Sequence, residues 1–145
     1  MDETNMNVKR GVSAIIFDKR GSSFFFLILH RIKGWEGWEF VKGKVEEGET
    51  PEEAVTREVK EEAGLKSFNI FGKLSQRREF INNGVLYSFE TFLIEANMNV
   101  TVNIHDEDHD NFLWAPKDRV LDKLHWPDEK SFFLEVVATL EQKHH

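Results

Sequence analysis

Glu58, Glu61 and Glu62 follow Arg57 at a spacing that sets three carboxylates a turn apart on one helix face. Placed together, they repel one another unless a cation lies between them. A hard divalent ion such as Mg2+ removes that repulsion. It takes oxygen ligands, keeps several waters and bridges carboxylates to substrate phosphates. Arg57 adds a planar guanidinium that can clamp one carboxylate through two parallel hydrogen bonds and fix its rotamer.

That arrangement needs a helix, and the local sequence predicts one. Thr50 is an N-cap hydroxyl, Pro51 suits the first helical position, and Glu53 completes a capping box. No Gly or Pro interrupts Pro51 to Ala63, and Gly64 stands where a left-handed residue ends a helix. The reading is a helix of about three turns, preceded by a loop over Val41 to Glu49. Ala54, Val55, Val59 and Ala63 supply the apolar stripe that seats it on a sheet. A glutamate-rich helix is ordinarily a solvated face, and Glu46, Glu47, Glu52 and Glu53 read as solvated or capping residues.

Gly43, Glu49, Arg57, Glu58, Glu61, Glu62 and Gly64, with aliphatic Val59 and Leu65, form the pattern G-x5-E-x7-R-E-U-x-E-E-x-G-U, in which U is aliphatic. In this segment, Gly43 to Leu65, the chain resembles the Nudix hydrolase family, with every fixed position of the box present. The resemblance implies the Nudix fold, an α/β architecture with a mixed β-sheet sandwiched between helices. It also implies hydrolysis of a diphosphate bond in a nucleoside diphosphate derivative, assisted by Mg2+ or, as an alternative, Mn2+. Such a reaction needs charge neutralisation on crowded phosphate oxygens and a positioned water.

Carried over by position, Glu58, Glu62, Glu61 and the Gly43 carbonyl are the expected metal ligands. Glu49 supports the loop or the ligands. Glu61 and Arg57 belong to the catalytic set, Arg57 as the residue that orients carboxylates. A further carboxylate is expected from the loop before Trp114, where Asp108 stands in the place of a usual glutamate and Glu107 is its neighbour. His105 and His109 read first as solvated loop histidines. For substrate, Lys42 and Lys44 flank Gly43 and, with Arg77 and Arg78, are candidates for phosphate contact. Trp35, Phe80 and Tyr87 are candidates for stacking on a base, whereas Trp38 reads as a core or loop anchor.

The Phe40-Val41-Lys42-Gly43 approach is similar to that of dinucleoside polyphosphate hydrolases, and the whole layout resembles the small diadenosine tetraphosphate hydrolases. A dinucleoside polyphosphate is therefore the first expected substrate. A (d)NTP or the 5′ end of an RNA is the alternative. A Nudix module that senses a nucleotide without cleaving it is the reading from a different class.

The rest of the chain has to position that segment. Gly11 to Phe17 and Phe24 to Leu29 are strand-like runs joined by a charged turn at Asp18 to Gly21, and Trp38 to Val41 leads into the box. Beyond the helix, Phe68 to Leu74 and Arg77 to Ile81 read as strand. Asn82-Asn83-Gly84 then makes a tight turn into Val85 to Glu95. Phe112 to Ala115 is a further strand, and Pro127 to Gln142 carries a helical apolar period.

The 145 residues fit a single domain over 1–143, with His144 and His145 read as a tag remnant. No cysteine is present, which excludes disulfides, thiolate metal sites and a cysteine nucleophile. A net charge of −7 argues against an extended nucleic-acid surface, but bound cations still permit a small phosphorylated substrate. The apolar runs are strand length, so no membrane span is expected, and the location expected is the cytoplasm. The chain is read as a monomer or homodimer.

Overall fold

The computed structural model describes residues 7–143, so the tag assignment at His144 and His145 lies outside the described residues. The long apolar run at the start forms the central strand β1, Asn7–Arg20. It turns at Gly21, whose φ of +62° suits glycine, into β2, Ser23–Arg31. Two short strands follow, β3 at Gly37–Glu39 and β4 at Val41–Lys44. The box helix α1 covers Pro51–Glu58 and continues as a π-helical turn over Val59–Ala63. Then come β5, Asn69–Lys73, β6, Arg78–Asn82, and β7, Val85–Glu95. The chain ends with β8, His109–Pro116, α2, Lys117–Lys123, and α3, Pro127–Lys143.

These strands form one eight-stranded mixed sheet. β1 runs parallel to β7 over the whole of β7, from Asn7 beside Val85 to Phe17 beside Glu95. Its other edge is shared: β4 pairs antiparallel with Gly11 to Ala14, and β2 with Ile16 to Arg20. β8 lies antiparallel to β2, while β5 and β6 lie antiparallel to β7. The β6–β7 hairpin turns through Asn83 and Gly84, with φ of +51° and +76°, the pair of positive values that a two-residue turn of matching twist requires.

Alternation along β1 makes the sandwich. Val12, Ala14 and Ile16 face α1 and pack with Ala54, Val55, Val59 and Ala63. Ile15 and Phe17 face the other way and pack with Phe133, Val136, Val137 and Leu140 of α3. Helices thus cover both faces of the sheet, the expected α/β/α arrangement. The rings of Phe26 and Phe133 meet edge-to-face at 4.8 Å and anchor α3. The expected helix over 127–142 and the strand at 85–95 match α3 and β7. β8 is longer than the 112–115 expectation because its polar first half, His109 to Asn111, pairs with β2. α2, which has one buried apolar residue, Val120, was not expected.

Candidate functional site

The capping box is formed as the sequence predicts. The Glu53 N–H donates to Thr50 Oγ1 at 3.1 Å, and the Thr50 N–H donates to Glu53 Oε1 at 2.9 Å. The helix does not stay α-helical to Ala63. Its last turn is π-helical and closes at Gly64, in the left-handed region at φ +66°. Such turns are rare and concentrate at functional sites. Here the turn holds two of the three glutamates on which the site was predicted.

Those three diverge. Glu58 is buried, and its carboxylate fills the space above Gly43, where any Cβ would overlap it. Glu62 is half-buried and accepts the Lys42 N–H at 3.2 Å. The Glu58 carboxyl bears electrostatically on that of Glu62. Glu61, by contrast, has a side chain 58% exposed and sits 3.3 Å from Arg57 Nη1.

Arg57 is the hub. Its Nε and Nη2 donate to both oxygens of Glu49, at 2.7 and 3.0 Å, and Nη2 also donates to the Lys44 carbonyl at 2.8 Å. Its Nη1 donates to Glu58 Oε1 at 2.6 Å. The guanidinium therefore fixes the loop to the helix and sets the Glu58 rotamer at the same time.

The charges respond to this geometry. The Arg57 bonds, helped by the Glu46 N–H, hold the Glu49 carboxyl down at about 2. Burial pushes the Glu58 carboxyl up, against the pull of Arg57. Burial also pushes Glu62 up, reinforced by the facing Glu58 and by Glu39 and Asp106. Two close carboxyls that both resist ionisation form a site that a cation completes. Among the described residues, no three His, Asp or Glu side chains already converge as a finished ion cage. Two carboxylates beside the Lys42–Gly43 main chain nonetheless fit an ion that retains several waters.

Because its folded value lies below the usual 4.5, Glu49 adds stability that is present above 4.5 and lost as pH falls toward 2. Urea unfolding of Glu49→Gln should therefore show a deficit against wild type at pH 7 that shrinks through pH 4 and is gone near pH 2 (~2, from the Glu49 value). An unchanged deficit at low pH would assign its contribution to packing instead of charge.

The acidic loop is arranged differently from the expectation. Asp106 Oδ1 accepts the N–H groups of Asp108 and His109, at 2.8 and 2.9 Å, and so closes the turn. Asp106 is the loop carboxylate that bears on Glu62. Glu107 points outward, 91% exposed and 3.9 Å from Lys33, and Asp108 is half-buried, its carbonyl accepting the Ile32 N–H at 2.8 Å. His109 is not a solvated loop residue. Its side chain is 1% exposed, with Nε2 2.8 Å from Glu39 and Nδ1 3.0 Å from Asp106. Burial opposes its charge, but the bonds to Glu39 and Asp106 prevail and raise its pKa. Glu39, itself buried, also meets Arg31 Nη1 at 3.0 Å and Lys42 Nζ at 3.3 Å.

On the opposite face of β4 lies a cavity of about 410 Å³, within the usual size of a small-molecule site. Trp35, Phe40, Phe80, Phe89, Trp126 and Phe132 supply its aromatic walls, and Lys42, Arg78, Asp128 and Glu129 its polar groups. Trp35 meets Trp126 edge-on at 5.8 Å. Glu129, in the first turn of α3, is 6% exposed. Its Oε1 has no hydrogen-bond partner and its Oε2 lies 3.7 Å from Arg78. Burial pushes its pKa up, against Arg78 and Lys42.

Of the expected substrate residues, Trp35, Lys42, Arg78 and Phe80 thus line the cavity. Lys44 is exposed and offers its carbonyl to Arg57. Arg77 is engaged by Glu90 and Ser88. Tyr87 stacks behind Phe80 at 5.1 Å. Sequence reading missed Glu129, although a glutamate two residues after Pro127 in a helix start was available to notice. It also missed Glu39, Asp106 and the burial of His109, which only the β2–β8 pairing reveals.

A family model for the NUDIX domain matches residues 8–136. The chain belongs to the NUDIX family. Among curated NUDIX relatives, it is 32% identical over 75 residues to an RNA pyrophosphohydrolase of Sulfurovum sp. (strain NBC37-1), a stretch covering 51% of this chain and 48% of that one. It is 39% identical over 67 residues to an 8-oxo-dGTP diphosphatase of Proteus vulgaris, covering 45% and 55%. The chain thus spans about half the length of these relatives. The same NUDIX fold recurs in the crystal structure of a C. elegans Ap4A hydrolase binary complex, with a TM-score of 0.80, 22% identity, and coverage of 91% of this chain and 97% of that one.

Proposed function

We propose that this NUDIX protein hydrolyses a diphosphate bond in a nucleoside diphosphate derivative, using a divalent metal ion. The observation that carries this reading is the Glu58–Glu62 pair, with Glu58 buried, Glu62 half-buried, and the two backed by Gly43 and the Lys42 N–H. In it, Glu58, Glu62 and the Gly43 carbonyl would hold the ion, Mg2+ in the first instance, and Glu61 would share the site from its solvent side. When bound, the ion supplies neutralisation of phosphate charge and a more acidic water. Arg57 orients Glu58. Lys42 meets a phosphate oxygen at the rim between the two faces of β4. The loop carboxylates Asp108 and Glu107 remain the expected source of the proton acceptor, with Asp106 acting on the pair electrostatically.

The aromatic cavity beside Lys42 suits a nucleobase, since every base offers a face for stacking. Glu129, which lines this space and has one oxygen without a partner, suits a base edge that carries N–H groups. On this account Glu129→Ala raises KM for the preferred nucleotide about tenfold or more and leaves kcat within about threefold, because it removes binding shared by ground and transition states. A kcat loss with unchanged KM would contradict that assignment.

For the finer substrate, a dinucleoside polyphosphate is the first reading. One base occupies the cavity and the second stacks on the outer aromatic group, where Trp35 meets His125 at 5.7 Å and Trp126 at 5.8 Å. A purine (d)NTP is the second reading, favoured by an aromatic cavity in which the buried Glu129 carboxyl stands ready to read a base edge. Incubating the protein with Mg2+ and a nucleotide panel, with products resolved by chromatography, separates them. Turnover of diadenosine tetraphosphate no better than that of dATP or dGTP would sink the first.

A further inference from the structure

The His109 ring lies between two carboxylates, with Asp106 3.0 Å from its Nδ1 and Glu39 2.8 Å from its Nε2, so both ring nitrogens are hydrogen-bonded. With 1% exposure, the ring has no water to turn toward. Each carboxylate has a further duty. Asp106 Oδ1 gathers the N–H groups of Asp108 and His109 and so shapes the acidic loop. Glu39 pairs with Lys42 Nζ at 3.3 Å, and the main-chain N–H of Lys42 meets Glu62 at 3.2 Å. One imidazole therefore joins the loop to Glu39 of β3 and, through Lys42 of β4, to the carboxylate pair on the box helix. The loop is also held by the main-chain bond from Ile32 to Asp108, by the pairing of His109 with Arg31 of β2, and by exposed contacts of His30 with Asp110 at 2.6 Å and of Lys33 with Glu107 at 3.9 Å. The His109 side chain is what links Asp106 directly to Glu39.

We propose that His109 is a positioning residue for the reaction, acting through Asp106 and Glu39 to set where the acidic loop stands relative to Lys42 and the Glu58–Glu62 pair. Buried hydrogen-bonded charges of this kind confer geometry more than net stability, because desolvation offsets most of their attraction. Residues one layer behind a metal site typically change activity by about 10- to 100-fold when lost. The kinetic arm of the test rests on the hydrolase reading above; the exchange arm does not.

The test compares wild type with His109→Phe and His109→Gln in the full chain. Hydrogen exchange at the Asp108 and His109 amides should quicken about tenfold or more, while the amides of β1 and β7 stay at wild-type rates. On diadenosine tetraphosphate with Mg2+, kcat should fall about 10- to 100-fold with KM within about threefold. The Gln variant, which donates to one carboxylate at a time, should lose less than Phe. If His109→Phe does not fold, His109→Gln carries both readouts. Unchanged exchange in the loop, faster exchange everywhere, or a folded variant within about twofold of wild-type kcat overturns the proposal. If the wild type cleaves no diphosphate, the hydrolase reading fails, and the exchange arm still decides whether His109 holds the loop.

Discussion

Glu62→Gln should lower metal-dependent kcat by roughly 100- to 1000-fold, ~3–4 kcal/mol on the barrier, and should also raise the melting temperature of the metal-free protein. Opposite signs follow from one cause. Glu62 lies beside Glu58 in a buried position that disfavours its charged form, so its folded pKa stands above its unfolded one. Between the two values the folded chain binds a proton that the unfolded chain has released, and wild-type stability falls as pH rises through that window. Gln has no proton to lose and is spared this penalty. The melting gap in favour of the variant should therefore widen from pH 5 to pH 8. Added Mg2+ should narrow or reverse it, since an ion that binds the folded wild type stabilises it. Melting curves over pH, with and without Mg2+, and steady-state rates check both halves. A variant that loses activity because it unfolds would show a lower melting temperature in every condition.

Gly43→Ala is expected to be nearly as costly to activity through a different route. A Cβ at this position overlaps the Glu58 carboxylate itself, not a tolerant stretch of apolar side chain. Glu58 cannot simply step aside, because Arg57 Nη1 holds it at 2.6 Å and Arg57 is itself clamped to Glu49. The methyl therefore displaces a metal-facing oxygen and strains β4. Overpacking of this kind costs about 1–3 kcal/mol, which for a chain of this length lowers Tm by ~3 to 10 °C. The kcat loss should be about 100-fold, with KM for the nucleotide little changed, since the cavity is on the far side of the strand. An active Gly43→Ala enzyme with wild-type kcat would mean that the Gly43–Glu58 contact is not part of the working site.

How far the sequence reaches can be judged from single residues. Local signals worked where one short stretch determined the outcome. Thr50, Pro51 and Glu53 announced the start of α1, and Asn83-Gly84 announced the β6–β7 turn. The apolar run Gly11 to Phe17 announced β1, though which of its residues face α1 and which face α3 emerged only with the packing. The same local logic placed Glu61 with its neighbours, whereas the π-helical last turn leaves it solvent-facing and bound to Arg57. Long-range pairings were not legible. The burial of His109 depends on β8 lying against β2 and on Glu39, seventy positions away, ending β3 beside it. The cavity gathers β1, β6, β7 and α3, so Glu129 had no local sign of its partnerless oxygen. Arg78, the first residue of β6, lines that cavity, while Arg77 just before the strand is held by Glu90, a distinction invisible in a pair of adjacent arginines.

The central claim is that the Glu58–Glu62 pair makes this NUDIX protein a metal-dependent diphosphate hydrolase. Its most direct test is the rate of product release from diadenosine tetraphosphate, dATP and dGTP by the wild-type chain, titrated with Mg2+ and then with EDTA. The account predicts cleavage of at least one of these that requires Mg2+, stops on chelation, and is abolished in Glu62→Gln at an unchanged fold. Tight nucleotide binding with no cleavage at any Mg2+ or Mn2+ concentration would contradict it and make the protein a nucleotide-sensing module.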